Sequence, residues 1–338
     1  MKKITLMILF VLIILSCFFI VNSYAEKESV SIGIAVEFMD HAAAAYVSHY
    51  QGWFEEEGLN IASYESYVTG MALASALSRG DIQAAYICMV PAINAYANAK
   101  VPIKIVAGTH KYGYGLVVDS NKVKHIQDLE REGISIGCVR EGGAVDVLLH
   151  KTVEKYNLSE DKILKNIQRM DPAKQLLAIQ MGRLDAAFLP EQWAAMAENY
   201  NCNMMLMSQD IWPEMQGSVL VVKSELIDNN PEIVRKLVKV TRRATDWINQ
   251  NPENAAEIVA QQLSLDGEFT LPTQIKDIDM SMIEFRNDTL FRSMNRLNYS
   301  MDIDLSIVQE SINYLVKLGY IVNTFNADEI LDLRFLNE

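Results

Sequence analysis

Cysteine, positive charge and long apolar runs are scarce in this chain, and each scarcity removes a class of protein. The four cysteines, Cys17, Cys88, Cys138 and Cys202, are far apart, so the chain carries neither a disulfide framework nor a CxxC metal knuckle. Cys88, Cys138 and Cys202 read as small buried hydrophobes, and whether two of them bridge stays open at this point. Lysine and arginine total 30 against 43 acidic residues, a formal charge of −13. That balance repels phosphate backbones and argues against nucleic acid as a partner. No Walker loop and no Ser-His-Asp arrangement is apparent, and the ligand-sensing domain of a receptor is not expected, for want of a kinase or signalling segment in this sequence. Beyond residue 25 no stretch is apolar enough to span a bilayer.

What is present begins with the leader. Lys2 and Lys3 precede an apolar run from Leu6 to Val21, and Ser23-Tyr24-Ala25 supplies small residues before the polar Glu26-Lys27-Glu28. Basic, apolar and small-residue regions in that order predict a secretory signal of residues 1–25, cleaved after Ala25. Lipoprotein processing at Cys17 is the second choice, because Leu15 fits a lipobox poorly and the apolar run continues past the cysteine. The mature chain is then expected in the periplasm or at the extracytoplasmic face.

Half of the 338 residues are apolar, enough for large cores and, at this length, for two domains. One segment occurs twice. Leu73–Tyr96 reads as helix, strand and helix, and aligning Gly80 with Gly182 sets it over Gln175–Tyr200, with Ala84-Ala85-Tyr86 on Ala186-Ala187-Phe188. A spacing of about a hundred residues exceeds a solenoid period, so two similar lobes are expected, each owning one copy.

The rest alternates strand and helix, which calls for a mainly parallel sheet flanked by helices in each lobe. Strands are expected at Val30–Val36, Leu59–Tyr67, Ile82–Cys88 and Pro102–Gly108, then at Ser135–Val139, 167–170, Ala186–Leu189 and Met204–Met207. Tyr112–Asp119 and Gly217–Lys223 break the rhythm and are the expected crossings between lobes. This divides the chain into a first lobe of residues 26–111 plus 224–338 and a second of 112–223. From Pro231 on the pattern is helical, including Ala327–Leu336, and these helices are expected to pack on the first lobe. Pro231 and Pro252 take the first-turn positions that proline favours.

Several segments together resemble a known family. Gln51-Gly52-Trp53-Phe54-Glu55-Glu56-Glu57-Gly58-Leu59, the Ala74-Leu77-Gly80-Asp81-Ile82 pattern, Val101–Val106 and the Asn-Pro-Glu run within Asn249–Ala256 are similar to the substrate-binding proteins of ABC importers. The group is that of nitrate, sulfonate and taurine, which shares its domain with thiamine-pyrimidine synthases. The resemblance spans about residues 30–325. It implies a two-lobed periplasmic-binding fold of type II with a two-strand hinge, closing on one small molecule for an ABC permease. It also implies a carrier that is not an enzyme; a monomer is expected. The alternatives are a synthase-like enzyme and a binder of sulfonate- or nitrate-type anions. The synthases' cysteine-rich iron site has no counterpart around Cys88.

In open α/β sheets ligands sit beyond the carboxyl ends of strands, which nominates Glu37, Asp40, His41, Thr69, Gly70, Met89, His110 and Tyr112 from the first half. Glu141, Gly142, Gly143, Ala144, Glu191 and Trp193 follow from the second. The glycine pair before a helix suits an anion on free N–H groups, yet Glu37, Asp40, Glu141 and Glu191 face only Arg140 and two histidines. That balance favours a neutral or cationic, nitrogen-containing ligand, with Trp193 or Tyr112 as an aromatic wall. Met89 and Glu191 are expected to face each other across the cleft. His41, Cys88, His110 and the acids lack metal-ligand spacing, so no metal and no cofactor is expected.

Overall fold

Ten strands and the helices between them are laid down in the order the apolar periodicity sets, and the computed structural model describes residues 30–271 and 283–337. The leader expected at residues 1–25, with Cys17, lies outside the described residues. The strands are β1 Ser31–Glu37, β2 Asn60–Tyr67, β3 Ala84–Cys88, β4 Ile103–Lys111, β5 Tyr114–Asp119, β6 Ile136–Cys138, β7 Ile167–Arg169, β8 Ala186–Pro190, β9 Cys202–Met207 and β10 Gln216–Lys223. They form two five-stranded sheets, ordered β2-β1-β3-β10-β4 and β7-β6-β8-β5-β9. The chain has an α/β fold with two helix-flanked sheets.

The internal repeat occupies the same place in both sheets. β3 pairs in parallel with β1 and antiparallel with β10, and β8 pairs in parallel with β6 and antiparallel with β5. Tyr86 lies opposite Leu220 and Phe188 opposite Leu116, at matching registers. Both repeat strands are fully buried, as their unbroken apolar runs require.

Tyr112 and Gly113 carry the chain from β4 to β5, and both have positive φ, +68° and +95°. Glycine is required at 113 on two counts: its left-handed backbone, and a Cβ there would lie 2.5 Å from His41 Nε2. β4 continues three residues beyond the expected Gly108, because Gln216, Ser218 and Val219 of β10 pair with Lys111, His110 and Gly108 across a register shift. His110 is therefore a buried strand residue and not a loop residue.

The helices at the carboxyl end depart from expectation in two ways. Ala327–Leu336 holds two short 3-10 turns, Ala327–Glu329 and Leu333–Asn337, in place of one helix. The Leu305–Lys317 helix reaches the second sheet's helices, with Glu310 bonded to Lys151 and Lys317 to Glu154. Helices Glu160–Asn166 and Ser224–Asn229 were not anticipated, both being short and mostly polar.

Candidate functional site

A cavity of about 310 Å³ opens where the carboxyl ends of strands from both sheets meet. Glu37 ends β1, Cys88 ends β3, Val139 and Arg140 follow β6, and Pro190 ends β8. Three helix starts complete the wall: Thr69 and Gly70, Gly143 and Ala144, and Asp171 and Pro172. Met39, Met71, Pro91, Tyr114 and Val145 supply apolar surface.

Of the residues nominated from sequence, Glu37, Thr69, Gly70, Gly143 and Ala144 line this cavity. Thr69 is the N-cap of the Gly70–Arg79 helix, its side chain accepting from the Ala72 N–H at 3.3 Å. Gly70 is packed so closely that a Cβ would fall 1.8 Å from Glu37 Oε1.

The other nominees lie elsewhere. Asp40 is fully buried beneath the wall: its N–H donates to Gln192 Oε1 at 2.6 Å, Ser293 donates to its Oδ2, and Tyr299 donates to its carbonyl at 3.0 Å. Burial pushes its pKa up to about 7. Met89 is buried in core, and Glu191 is buried against Arg296 at 2.9 Å, so the expected pair across the cleft is not formed. Trp193 is core, not an aromatic wall, its ring packed on Phe38 and Phe285 at 6.4 and 5.8 Å. Tyr112 is taken up by the crossing, where its N–H donates to Met215. Glu141 is exposed, 3.9 Å from Arg169.

The glycine pair also departs from expectation. Gly142 N–H donates to Asp146 Oδ2 at 3.0 Å and Gly143 N–H to the Arg140 carbonyl at 3.2 Å. The helix start is thus occupied by a carboxylate of its own, further held by Arg169 and Tyr320. The Gly142 carbonyl accepts from Asn94 at 3.0 Å.

Beneath the cavity lies a polar cluster that linear spacing did not reveal. Cys88 donates to Glu37 Oε2 at 2.7 Å, Tyr114 donates to Cys88 Sγ at 2.8 Å, and His41 Nδ1 lies 3.7 Å from the same sulfur. His41 Nε2–H donates to the Gly113 carbonyl at 2.7 Å, which leaves Nδ1 as the unprotonated nitrogen. Burial pushes Glu37 up to about 7 and raises the Cys88 thiol, and it holds His41 well below the usual imidazole range. His110, with its ring 4.3 Å from that of His41, is held down at about 4 by burial. Glu37, His41 and Cys88 have donor atoms all within 4.8 Å of one another, a grouping able to hold a metal ion. Spacing along the chain did not reveal this grouping, because residues 37, 41 and 88 meet only once β1 lies beside β3.

Sequence reasoning also missed Tyr114 and Asp171 as cavity residues. Asp171 directly precedes the start of the Pro172–Gln180 helix, so the rule that nominated Thr69 could have reached it. Cys88, Cys138 and Cys202 are all free and buried, which resolves the bridging alternatives.

Among known proteins, the chain is 26% identical over 257 residues to a protein of Brucella abortus (strain 2308) named as a binding protein, covering 75% of this chain and 77% of that one. Its fold is similar to the ligand-binding component of an ABC-type import system from Staphylococcus aureus, solved with zinc bound (TM-score 0.73, 17% identity, 91% and 98% of the two chains). It is also similar to the alkanesulfonate-binding protein SsuA from Xanthomonas axonopodis pv. citri bound to MOPS (TM-score 0.71, 13% identity, 91% and 100%). Among the described residues, no helix is long and apolar enough to cross a membrane. The profile of the NMT1-like family matches residues 23–264, well over half of the sequence, and the chain belongs to that family.

Proposed function

We propose that this protein is an extracytoplasmic solute-binding protein that captures one small organic molecule and delivers it to an ABC permease, acting as a carrier and not as an enzyme. The observation that carries the reading is the cavity of about 310 Å³, walled by strand ends and helix starts from both sheets. In this reading residues 26–111 plus 224–338 and residues 112–223 are lobes joined through β5 and β10, and the leader of residues 1–25 directs export of a monomer. Ligand contact with both sides then favours closure, to the extent that the closed state binds more tightly.

The lining supports a neutral or cationic ligand with apolar surface. Among the described residues, Glu37 and Asp171 stand against Arg140 as the only cation lining the cavity, and Met39, Met71, Pro91 and Tyr114 surround them. A sulfonate such as the MOPS held by the Xanthomonas neighbour would find the Gly142 N–H already donating to Asp146.

Native mass spectrometry of protein purified without refolding tests this, followed by a thermal-shift screen and solution scattering. One bound small molecule, raising the melting temperature and compacting the protein, is expected. Absence of stabilisation across a broad metabolite set, with no change in scattering, overturns the reading.

A further inference from the structure

We infer that Glu37, His41 and Cys88 form a binding site for a divalent transition-metal ion of the zinc type on the floor of the cavity. Their donor atoms lie within 4.8 Å of one another. A tetrahedral zinc ion with sulfur and nitrogen ligands sets those two atoms about 3.5 Å apart, and Cys88 Sγ and His41 Nδ1 already stand 3.7 Å apart. The Sγ to Glu37 Oε2 distance is shorter, 2.7 Å, because the thiol hydrogen lies between them. When a metal takes that hydrogen's place, the proton leaves to solvent and the two atoms separate to ligand spacing.

Three further features fit a metal better than a closed hydrogen-bond network. Glu37 Oε1 is buried and has no hydrogen-bond partner among the described residues, an arrangement that is costly in a finished network. Gly70, through the lack of a Cβ, lets that oxygen occupy the place a side chain would fill, against the start of the Gly70–Arg79 helix. The bond from His41 Nε2–H to the Gly113 carbonyl turns the lone pair of Nδ1 toward the cluster, which is how outer-shell partners orient ligating histidines.

The donor set selects the ion. Thiolate, imidazole and carboxylate suit zinc and its neighbours, whereas calcium and magnesium demand six or more oxygens. Two anionic ligands would balance the charge of a divalent ion where burial opposes either anion alone. Glu37 and Cys88 line the cavity, and His41 is fully buried behind them. Three protein ligands with an open position toward the cavity is the pattern of accessible zinc sites. The metal site stands on the cluster alone; use of the open position by a donor atom of a captured molecule rests on the solute-binding reading.

The test is titration of chelator-stripped protein with Zn2+ by calorimetry and with Co2+ by absorption spectroscopy. One ion per chain is expected, with a thiolate-to-metal charge-transfer band in the Co2+ adduct. Cys88→Ser should abolish the band and weaken Zn2+ more than about 100-fold, since even outer-shell changes reach that range. Glu37→Gln and His41→Gln should weaken it too, while Cys138→Ser and Cys202→Ser leave both readouts unchanged. Circular dichroism checks that each variant folds, and the Co2+ spectrum of the unaltered protein needs no variant. Absence of binding, binding without the thiolate band, or a band lost in Cys138→Ser or Cys202→Ser overturns the proposal. Capture of an organic ligand by stripped protein that binds no Zn2+ would sink the metal site and leave the solute-binding reading standing; Zn2+ binding without any organic ligand would do the reverse.

Discussion

Asn94 Nδ2 donates to the Gly142 carbonyl at 3.0 Å, joining the helix Met89–Ala97 beside the first sheet to the loop that opens the helix Ala144–Lys155 beside the second. The contact is reinforced by a relay, for Asn98 donates to Asn94 Oδ1 and to the Tyr320 carbonyl, and the Tyr320 hydroxyl donates to Asp146. If ligand is held by closing the two sides together, this bond belongs to the closed state. One intramolecular hydrogen bond is worth about 1 kcal/mol net. Asn94→Ala should therefore weaken the ligand identified by mass spectrometry about fivefold in calorimetry while barely shifting the melting temperature. An unchanged affinity would remove Asn94 from the closing contacts.

A second expectation concerns Gly70. An added methyl would meet Glu37 Oε1 at 1.8 Å and Pro91 Cγ at 2.6 Å, and neither can retreat easily, Glu37 being bonded to Cys88 and Pro91 lying in a helix. Overpacking of this sort costs about 2 kcal/mol. Gly70→Ala should lower stability in urea by that amount and abolish ligand capture. A variant of unchanged stability that still binds would show that Glu37 is freer to move than the packing indicates.

The fold was legible in the sequence because its signals are local. Unbroken apolar runs gave the buried strands, and the echo of Ala84-Ala85-Tyr86 in Ala186-Ala187-Phe188 gave strands that share the same registers against β10 and β5. The site was legible at one level only. Strand ends and helix starts located the cavity, but not which neighbouring side chain turns into it. Glu37 lines the cavity and Asp40 does not, although both stand at the carboxyl end of the same strand. The cluster of Glu37, His41 and Cys88 was hidden for a different reason, since β1–β3 pairing brings its members together and no spacing along the chain encodes that.

Trp193 separates wall from core in an observable way. It sits between Phe38 and Phe285, 1% exposed, with an indole N–H that has no hydrogen-bond partner among the described residues. Trp193→Ala should cost about 4 kcal/mol in urea denaturation. Trp193→Phe should leave ligand affinity within twofold, which calorimetry can read. A large loss of affinity in the phenylalanine variant, with stability kept, would return Trp193 to the binding surface.

The last expectation is a pH dependence at Glu191 and Arg296. Burial holds the Glu191 carboxyl at about 7, above its ordinary 4.5, although Arg296 lies 2.9 Å away and favours the charged form. A carboxyl whose folded pKa is raised contributes stability that is fully present below about 4.5 and lost as pH rises through about 7. Removing the guanidinium raises the folded pKa further, so the penalty for ionising Glu191 grows. Arg296→Met should therefore cost little at pH 5, where Glu191 is neutral with or without the arginine. At pH 8.5 the loss should grow toward about 2 kcal/mol, the free energy of about 1.5 pH units above the folded pKa of about 7, beyond which the carboxyl escapes the penalty by staying protonated. Urea denaturation of both proteins at the two pH values measures the difference. The double variant Glu191→Gln/Arg296→Met should show no such growth, because the titrating group is gone. A cost in Arg296→Met that is the same at both pH values would mean that Arg296 supports this corner through its contacts with Glu198, and not through the charge of Glu191.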